Sequence, residues 1–299
     1  MSAAGLLSVR ATLSHGRCDQ LAVQLKRPPV TQMFVGQVPE AVVKAIPYLY
    51  TLCAHAQRAA AQAACAAAVD EPRRPVDDVA LWIEMLHENF WRLLLDWPKA
   101  LGMEPAQDAF VAWRAARLGE NYLTATQNLH RETLCELAKK CLEKLVDRNP
   151  LPFHSGAPLD AVAWLDYWMG QNENLPQSTP QLSVKNAYRA RLAEVDLAIT
   201  ALTNDTPFPI AAAGGNGWGV GQCATARGVL THGVHVVNGE VARYRVWAPT
   251  DRYFADASAL SALLEDANFS SINEARQVLD QAILALDPCL PYAVELNDA

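Results

Sequence analysis

The chain has 299 residues, of which 51% are hydrophobic and 19% charged, with a formal net charge of −7 at pH 7. That balance fits a folded globular protein, and the negative charge argues against nucleic acid or an anionic membrane surface as partner, since both require basic patches. No apolar run reaches the roughly 18 residues of a membrane span, and no basic segment leads into an apolar one at the N-terminus, so neither a membrane anchor nor a cleaved export signal is expected.

Residues 6–25 alternate apolar and polar around Ser14-His15-Gly16, which predicts a hairpin closed by Pro28-Pro29. His15 and Cys18 near its turn could share a metal but have no further donors close by. Pro39 and Pro47 punctuate a helical stretch, each acceptable at a first helical turn. After Thr51 an alanine-rich helix runs to Val69, small enough in its side chains to pack closely in an interior. Pro72 and Pro75 end it.

Helices are expected over 77–98, 105–117 and 120–146, the first with apolar residues at spacings of three and four from Leu81 to Trp97. Cys135 and Cys141 fall on the third, too far apart around the helix for one metal, and both read as core thiols. Pro150, Pro152 and Pro158 mark a surface connection. A short helix over 159–169, a polar loop over 170–180 and a helix over 181–203 follow. The stretch 204–221 carries Gly214, Gly215, Gly217, Gly219 and Gly221 without a dinucleotide or phosphate-loop spacing. It reads as a loop, either close to a site or simply flexible.

From Arg227 the period changes to two, and Asn238-Gly239 between apolar runs predicts a late hairpin. Helices over 256–266 and 272–286 then lead into Asp287-Pro288-Cys289. The fold class is therefore mainly α (α+β), a helical bundle with N-terminal strands and a late β-hairpin. With no repeat or long linker, 1–299 is expected to form a single domain.

Seven cysteines (18, 53, 65, 135, 141, 223 and 289) without disulfide-like spacing fit a reducing cytoplasm, and their number is no evidence of metal. Taken alone, Cys53 on an alanine-rich helix reads as a packed thiol, while Cys289 at a proline turn is as readily structural as functional.

Together, Leu52-Cys53-Ala54-His55 and Asp287-Pro288-Cys289-Leu290 resemble the first and last metal-binding motifs of the nickel–iron hydrogenase large subunit. Further segments resemble the same family in the same order: Phe34-Val35-Gly36 through Pro47, His87 through Leu95-Asp96-Trp97, Ala226-Arg227-Gly228-Val229-Leu230-Thr231-His232, and the hairpin from Val237 to Pro249-Thr250. The match includes departures. Tyr50 stands where the first motif would have its first cysteine, and Tyr292 where the last would have its second. Ala224 and Ala226 replace a glutamate and a proline. Glu295 takes the place of a terminal histidine at which the family's tail is trimmed, and with four residues after it no tail is expected to be removed.

Within the family, the chain is most similar to the HupK/HoxV-type hydrogenase maturation proteins. That resemblance implies a large-subunit-like fold and a scaffold for the Fe(CN)2(CO) fragment. The fragment would come from an upstream maturation chaperone and go to a hydrogenase large-subunit precursor, in the cytoplasm. Cys53 and Cys289 match ligand positions, so the two are expected to meet in the fold and hold iron. Two soft thiolates can hold low-spin iron with diatomic ligands but cannot supply the four sulfurs of a nickel–iron centre. No nickel and no enzymatic hydrogen turnover are expected. Arg227 matches a guanidinium over the metal pocket, suited to cyanide nitrogens, or else forms an ordinary ion pair. Asp287 could pair with Arg227 or simply form the turn. His55 could join the site only if its helix starts at or after Cys53. The alternative is a protein-binding assembly factor that carries no metal.

Overall fold

The computed structural model describes residues 5–50, 52–146, 158–176 and 183–298. The expected connection around Pro150 and Pro152 and the end of the 170–180 loop lie outside them.

The N-terminal hairpin forms as its alternation predicts, from β1 (Leu6–Ser14) and β2 (Arg17–Lys26) with His15-Gly16 at the turn. Leu7, Val9, Ala11 and Leu13 all face inward. A short 3-10 turn at Val30–Phe34 leads to α1 (Pro39–Leu49), which opens on Pro39 and contains Pro47. The alanine-rich helix α2 (Ala54–Ala68) begins at Ala54, with Cys53 as its N-cap residue.

Helix α3 (Asp78–Trp91) is capped by the Asp77 carboxylate, which accepts from the N–H of Ala80 at 2.9 Å. It passes through a π-helical turn at Arg92–Asp96 into α4 (Trp97–Ala100). The helices α5 (Gln107–Ala116), α6 (Tyr122–Leu129), α7 (Cys135–Lys144), α8 (Ala161–Trp168) and α9 (Val184–Thr203) complete the helical part, with a second π turn at His130–Leu134 between α6 and α7. Phe90, Trp97, Leu134 and Tyr188 lie at the centre of the largest core cluster. Cys141 is buried as expected, but Cys135 is exposed beside His130, because the two fall on different sides of the helix.

The glycine-rich stretch departs from expectation. It is not a loop but a hairpin of β3 (Ile210–Gly215) and β4 (Trp218–Thr225), the start of a four-stranded antiparallel sheet. A Cβ on Gly219 would lie 2.1 Å from the Ala64 carbonyl oxygen, and one on Gly221 would lie 2.2 Å from that of Ala60. The glycines therefore let the backbone of α2 rest directly on β4, and the alanines of α2 supply the other half of that close approach. Strands β5 (Gly228–Val237) and β6 (Glu240–Trp247) follow, joined at Asn238 and Gly239, whose φ values of 54° and 82° suit the hairpin turn that the sequence signals.

After α10 (Pro249–Tyr253) and α11 (Ser258–Leu264), helix α12 (Ile272–Leu286) packs on β1. It stops at Asp287, which takes a left-handed φ of 47° before Pro288. The chain then returns as β7 (Tyr292–Asp298), parallel to β1, a strand that the sequence reading did not anticipate. Strand order in this smaller sheet is β2-β1-β7. Because Lys26 of β2 pairs with Leu6, and Leu7 pairs with Tyr292, the end of β2 and the turn at Cys289 meet at the same end of the sheet. Among the described residues no helix is long and apolar enough to cross a membrane.

Candidate metal-fragment site

Cys53 and Cys289, from opposite ends of the chain, line one cavity of about 380 Å³. Its wall is built from the end of β2 (Arg27), the end of α1 (Tyr48 to Tyr50), the start of α2 (Cys53, Gln57), the β4–β5 turn (Arg227) and the segment from Arg245 to Asp251.

Cys53 owes its position to the start of α2. The Glu84 carboxylate of α3 accepts from the N–H groups of His55 and Ala56 at 2.8 and 2.9 Å, capping α2 from outside. Burial pushes the Glu84 carboxyl up to about 7, although both N–H groups pull the other way. Burial also pushes the Cys53 thiol up to about 12, helped by Glu84 and Cys289 and opposed by Arg227 and Gln57. Metal binding would have to displace that proton.

A buried chain of hydrogen bonds reaches the Cys53 sulfur. Tyr244 Oη lies 2.7 Å from His232 Nδ1, His232 Nε2 lies 2.9 Å from Gln57 Oε1, and Gln57 Nε2 lies 3.6 Å from Cys53 Sγ. Burial lowers His232 to about 3, so its ring is neutral and carries one N–H. Gln57 Oε1 can only accept, which puts that hydrogen on Nε2 and makes the Tyr244 hydroxyl the donor to Nδ1. The amide NH2 is thereby aimed at the sulfur.

Cys289 is held from the other side. Its N–H donates to Thr250 Oγ1 at 3.1 Å, and Arg27 Nη2 donates to its sulfur at 3.2 Å. Arg27 Nε lies 2.7 Å from Asp251 Oδ1, so this guanidinium joins β2, α10 and the cysteine turn.

Arg227 occupies the two-residue turn between β4 and β5, where its N–H donates to Thr225 Oγ1 at 3.2 Å. Its Nη2 donates to Glu88 Oε2 at 2.6 Å and its Nε lies 3.1 Å from Asp287 Oδ2. Asp287 also meets Arg191 and accepts from Arg92 Nε at 2.6 Å, and Arg92 Nη2 caps the Pro288 carbonyl at 2.8 Å. Burial alone would raise the Asp287 carboxyl, but Arg191, Arg227 and Arg92 together hold it well below the usual carboxylate range. Asp287 is 3% exposed and does not line the cavity. It fixes the turn and Arg227 from behind.

His55 is not brought to this cavity. Although α2 starts just after Cys53, His55 is exposed and lines a separate cavity of about 670 Å³ with Arg58, Gln62 and Cys65. Two helical residues turn a side chain by about 200°, which takes the imidazole to the other side of α2. Tyr50 does line the site, and burial pushes its phenol up to about 12 against the pull of Arg27, so it is a protonated, hard group. Tyr292 packs in the cluster around β1 and α12 instead.

Arg27, Gln57, His232, Glu84 and Thr250 escaped the sequence reading as site residues. The pair Arg27 and Pro28 held one weak signal, since a residue before proline is restricted to extended backbone. The contacts of the others depend on folds that join distant segments.

Among the described residues no group of three or more His, Cys, Asp or Glu side chains is placed to hold a metal ion. The cavity offers instead two thiols and three guanidiniums, those of Arg27, Arg227 and Arg245. Arg27 Nε and Arg227 Nε are buried and have no hydrogen-bond acceptor in line, despite the nearby carboxylates. Soft sulfur donors beside guanidinium N–H donors fit a low-spin metal whose own ligands accept hydrogen bonds.

The fold is that of the nickel–iron hydrogenase large subunit. The chain superposes on the Ni-Fe-Se hydrogenase from D. vulgaris Hildenborough in the reduced state with a TM-score of 0.61 at 13% identity, covering 92% of this chain and 94% of that one. It also superposes on an NAD+-reducing [NiFe]-hydrogenase in the H2-reduced state with a TM-score of 0.51 at 12% identity, covering 92% and 93%. More particularly, the chain is similar over its full length to the hydrogenase expression/formation proteins HupV and HupK, as the sequence resemblance implied. It is 28% identical to HupV of Azotobacter chroococcum mcd 1 over 99% of its length and 100% of that protein. It is 27% identical to HupK of Azotobacter vinelandii over 99% and 100%, and 24% identical to HupK of Rhizobium leguminosarum bv. viciae over 99% and 98%. No family model matches the chain.

Proposed function

We propose that this chain is a hydrogenase maturation scaffold that transiently carries an Fe(CN)2(CO) fragment to a nickel–iron hydrogenase large-subunit precursor. The observation that carries the reading is the convergence of Cys53 and Cys289 on one cavity beside Arg227. The names of its full-length homologues support a role in hydrogenase expression or formation. On this reading the fragment is cargo received from an upstream maturation chaperone in the cytoplasm. The two thiolates bind iron, Arg227 and Arg27 hold the cyanide nitrogens by charge-assisted hydrogen bonds, and an open iron position admits a sulfur of the recipient.

The chain is then not an enzyme and uses no nickel. Tyr50 occupies the cavity with a phenol in place of a thiol, leaving nickel without its sulfur set. Infrared spectra of protein purified without oxygen test the reading, because cyanide and carbonyl stretches fall where protein is silent. Bands that depend on both cysteines are expected. Their absence from protein isolated in a strain that is maturing hydrogenase would leave the protein-binding assembly factor as the better account. The exposed Tyr48 side chain at the cavity, 81% accessible, favours that second reading.

A further inference from the structure

The geometry points to Arg27 as the residue that makes the site selective for a cyanide-bearing metal fragment over a bare divalent cation. This deepens the carrier reading and rests on it. Two thiols at the surface of a cavity are an invitation to any soft divalent metal, and a carrier that filled with zinc would be useless. The wall of the cavity answers this with charge. Arg27, Arg227 and Arg245 line it against the single carboxylate of Asp251. Behind the wall, Glu88 pairs with Arg227, and Asp287 pairs with Arg92 and Arg191 as well as Arg227.

Binding through both cysteines forms two metal–sulfur bonds and releases two protons to solvent. A bare divalent cation on two thiolates is then neutral and gives the guanidiniums of the wall no acceptor to meet. A dicyano–carbonyl iron(II) fragment on the same thiolates carries two negative charges, and its cyanide nitrogens accept from the guanidiniums. Arg27 contributes most directly, because its Nη2 already donates to Cys289 Sγ at 3.2 Å. Pro28 after it and the ion pair to Asp251 keep the guanidinium in place. A cation approaching Cys289 meets this guanidinium at contact distance. A cyanide nitrogen meets a donor.

The test uses the full-length protein with Arg27→Gln and Arg27→Lys, and two probes. Cobalt(II) reports bare-cation binding through thiolate-to-cobalt absorption, and an iron(II) dicyano–carbonyl complex with labile remaining ligands reports fragment binding through its infrared bands. Arg27→Gln is expected to bind cobalt about tenfold more tightly and the iron complex about tenfold more weakly, the scale of one charge-assisted hydrogen bond lost. Arg27→Lys keeps the charge and should still resist cobalt, while its cyanide bands move because the planar fork is gone. If Arg27→Gln leaves both affinities within about twofold of the parent, or moves both in the same direction, Arg27 is structural and the inference fails while the carrier reading stands. If the parent protein takes up cobalt but not the iron complex, the carrier reading itself is overturned.

Discussion

The Arg227 guanidinium and the Asp287 carboxylate lie buried against each other, Nε 3.1 Å from Oδ2, and this pair ties the sheet turn over the cavity to the turn that carries Cys289. Arg92 and Arg191 converge on the same carboxylate, so one residue holds three cations. Buried ion pairs of this kind contribute little net stability when intact but are costly to break, because the orphaned charges stay buried.

Asp287→Asn is therefore expected to destabilise the protein by about 3–5 kcal/mol, read from urea unfolding. In acid the parent should lose the same contribution. The folded carboxyl titrates below its unfolded value of about 3.9, so its stabilisation is complete above that pH and disappears as pH falls through the folded value. A variant as stable as the parent would show that the arginines find other partners.

The opposite sign applies to Glu84. Its folded carboxyl is raised to about 7, above the unfolded value of about 4.3. Stability linked to this group is full below about pH 4 and is lost as pH rises through 7. Melting temperatures measured from pH 5 to 8 should fall less in Glu84→Gln than in the parent. An equal fall in both would show that Glu84 does not govern it.

The chain from Tyr244 through His232 and Gln57 predicts two different outcomes. His232→Phe leaves the Tyr244 hydroxyl and Gln57 Oε1 buried without partners and should cost about 2–4 kcal/mol in unfolding free energy. Gln57→Leu removes the donor on Cys53. A thiolate without that donor gives more electron density to iron, so the carbonyl band of a loaded fragment should move to lower frequency. Unchanged bands would mean that the amide does not act on the sulfur.

The contact of α2 with β4 is tested by Gly221→Ala. The added methyl would sit 2.2 Å from the Ala60 carbonyl oxygen, where backbone rather than a flexible side chain must give way. A loss of about 1–3 kcal/mol is expected, with α2 and hence Cys53 displaced.

Much of this fold was legible because its elements carry their own period. Leu7, Val9, Ala11 and Leu13 alternate, and Asn238-Gly239 marks its turn. Strands β3 and β4 were not legible, since alanine and glycine show no apolar period and their strand character comes from α2 lying on them. Cys53, Cys289 and Arg227 were found through collinear motifs, which register residues one segment at a time. The motifs also drew in His55, which the turn of α2 carries to another cavity, and Asp287, which acts from behind the wall. Arg27 was missed because its meeting with Cys289 depends on β7 pairing in parallel with β1, a long-range register that neither segment carries alone.

The most direct measurement compares the parent with Cys53→Ala and Cys289→Ala, each produced in a strain that is maturing its hydrogenase and purified without oxygen. Infrared spectra and iron content are read together, with circular dichroism to establish that each variant is folded. Cyanide and carbonyl bands with stoichiometric iron are predicted in the parent and should vanish in both folded variants, with hydrogenase maturation slowed. Normal maturation by both variants, or bands that survive the loss of either cysteine, would contradict the account.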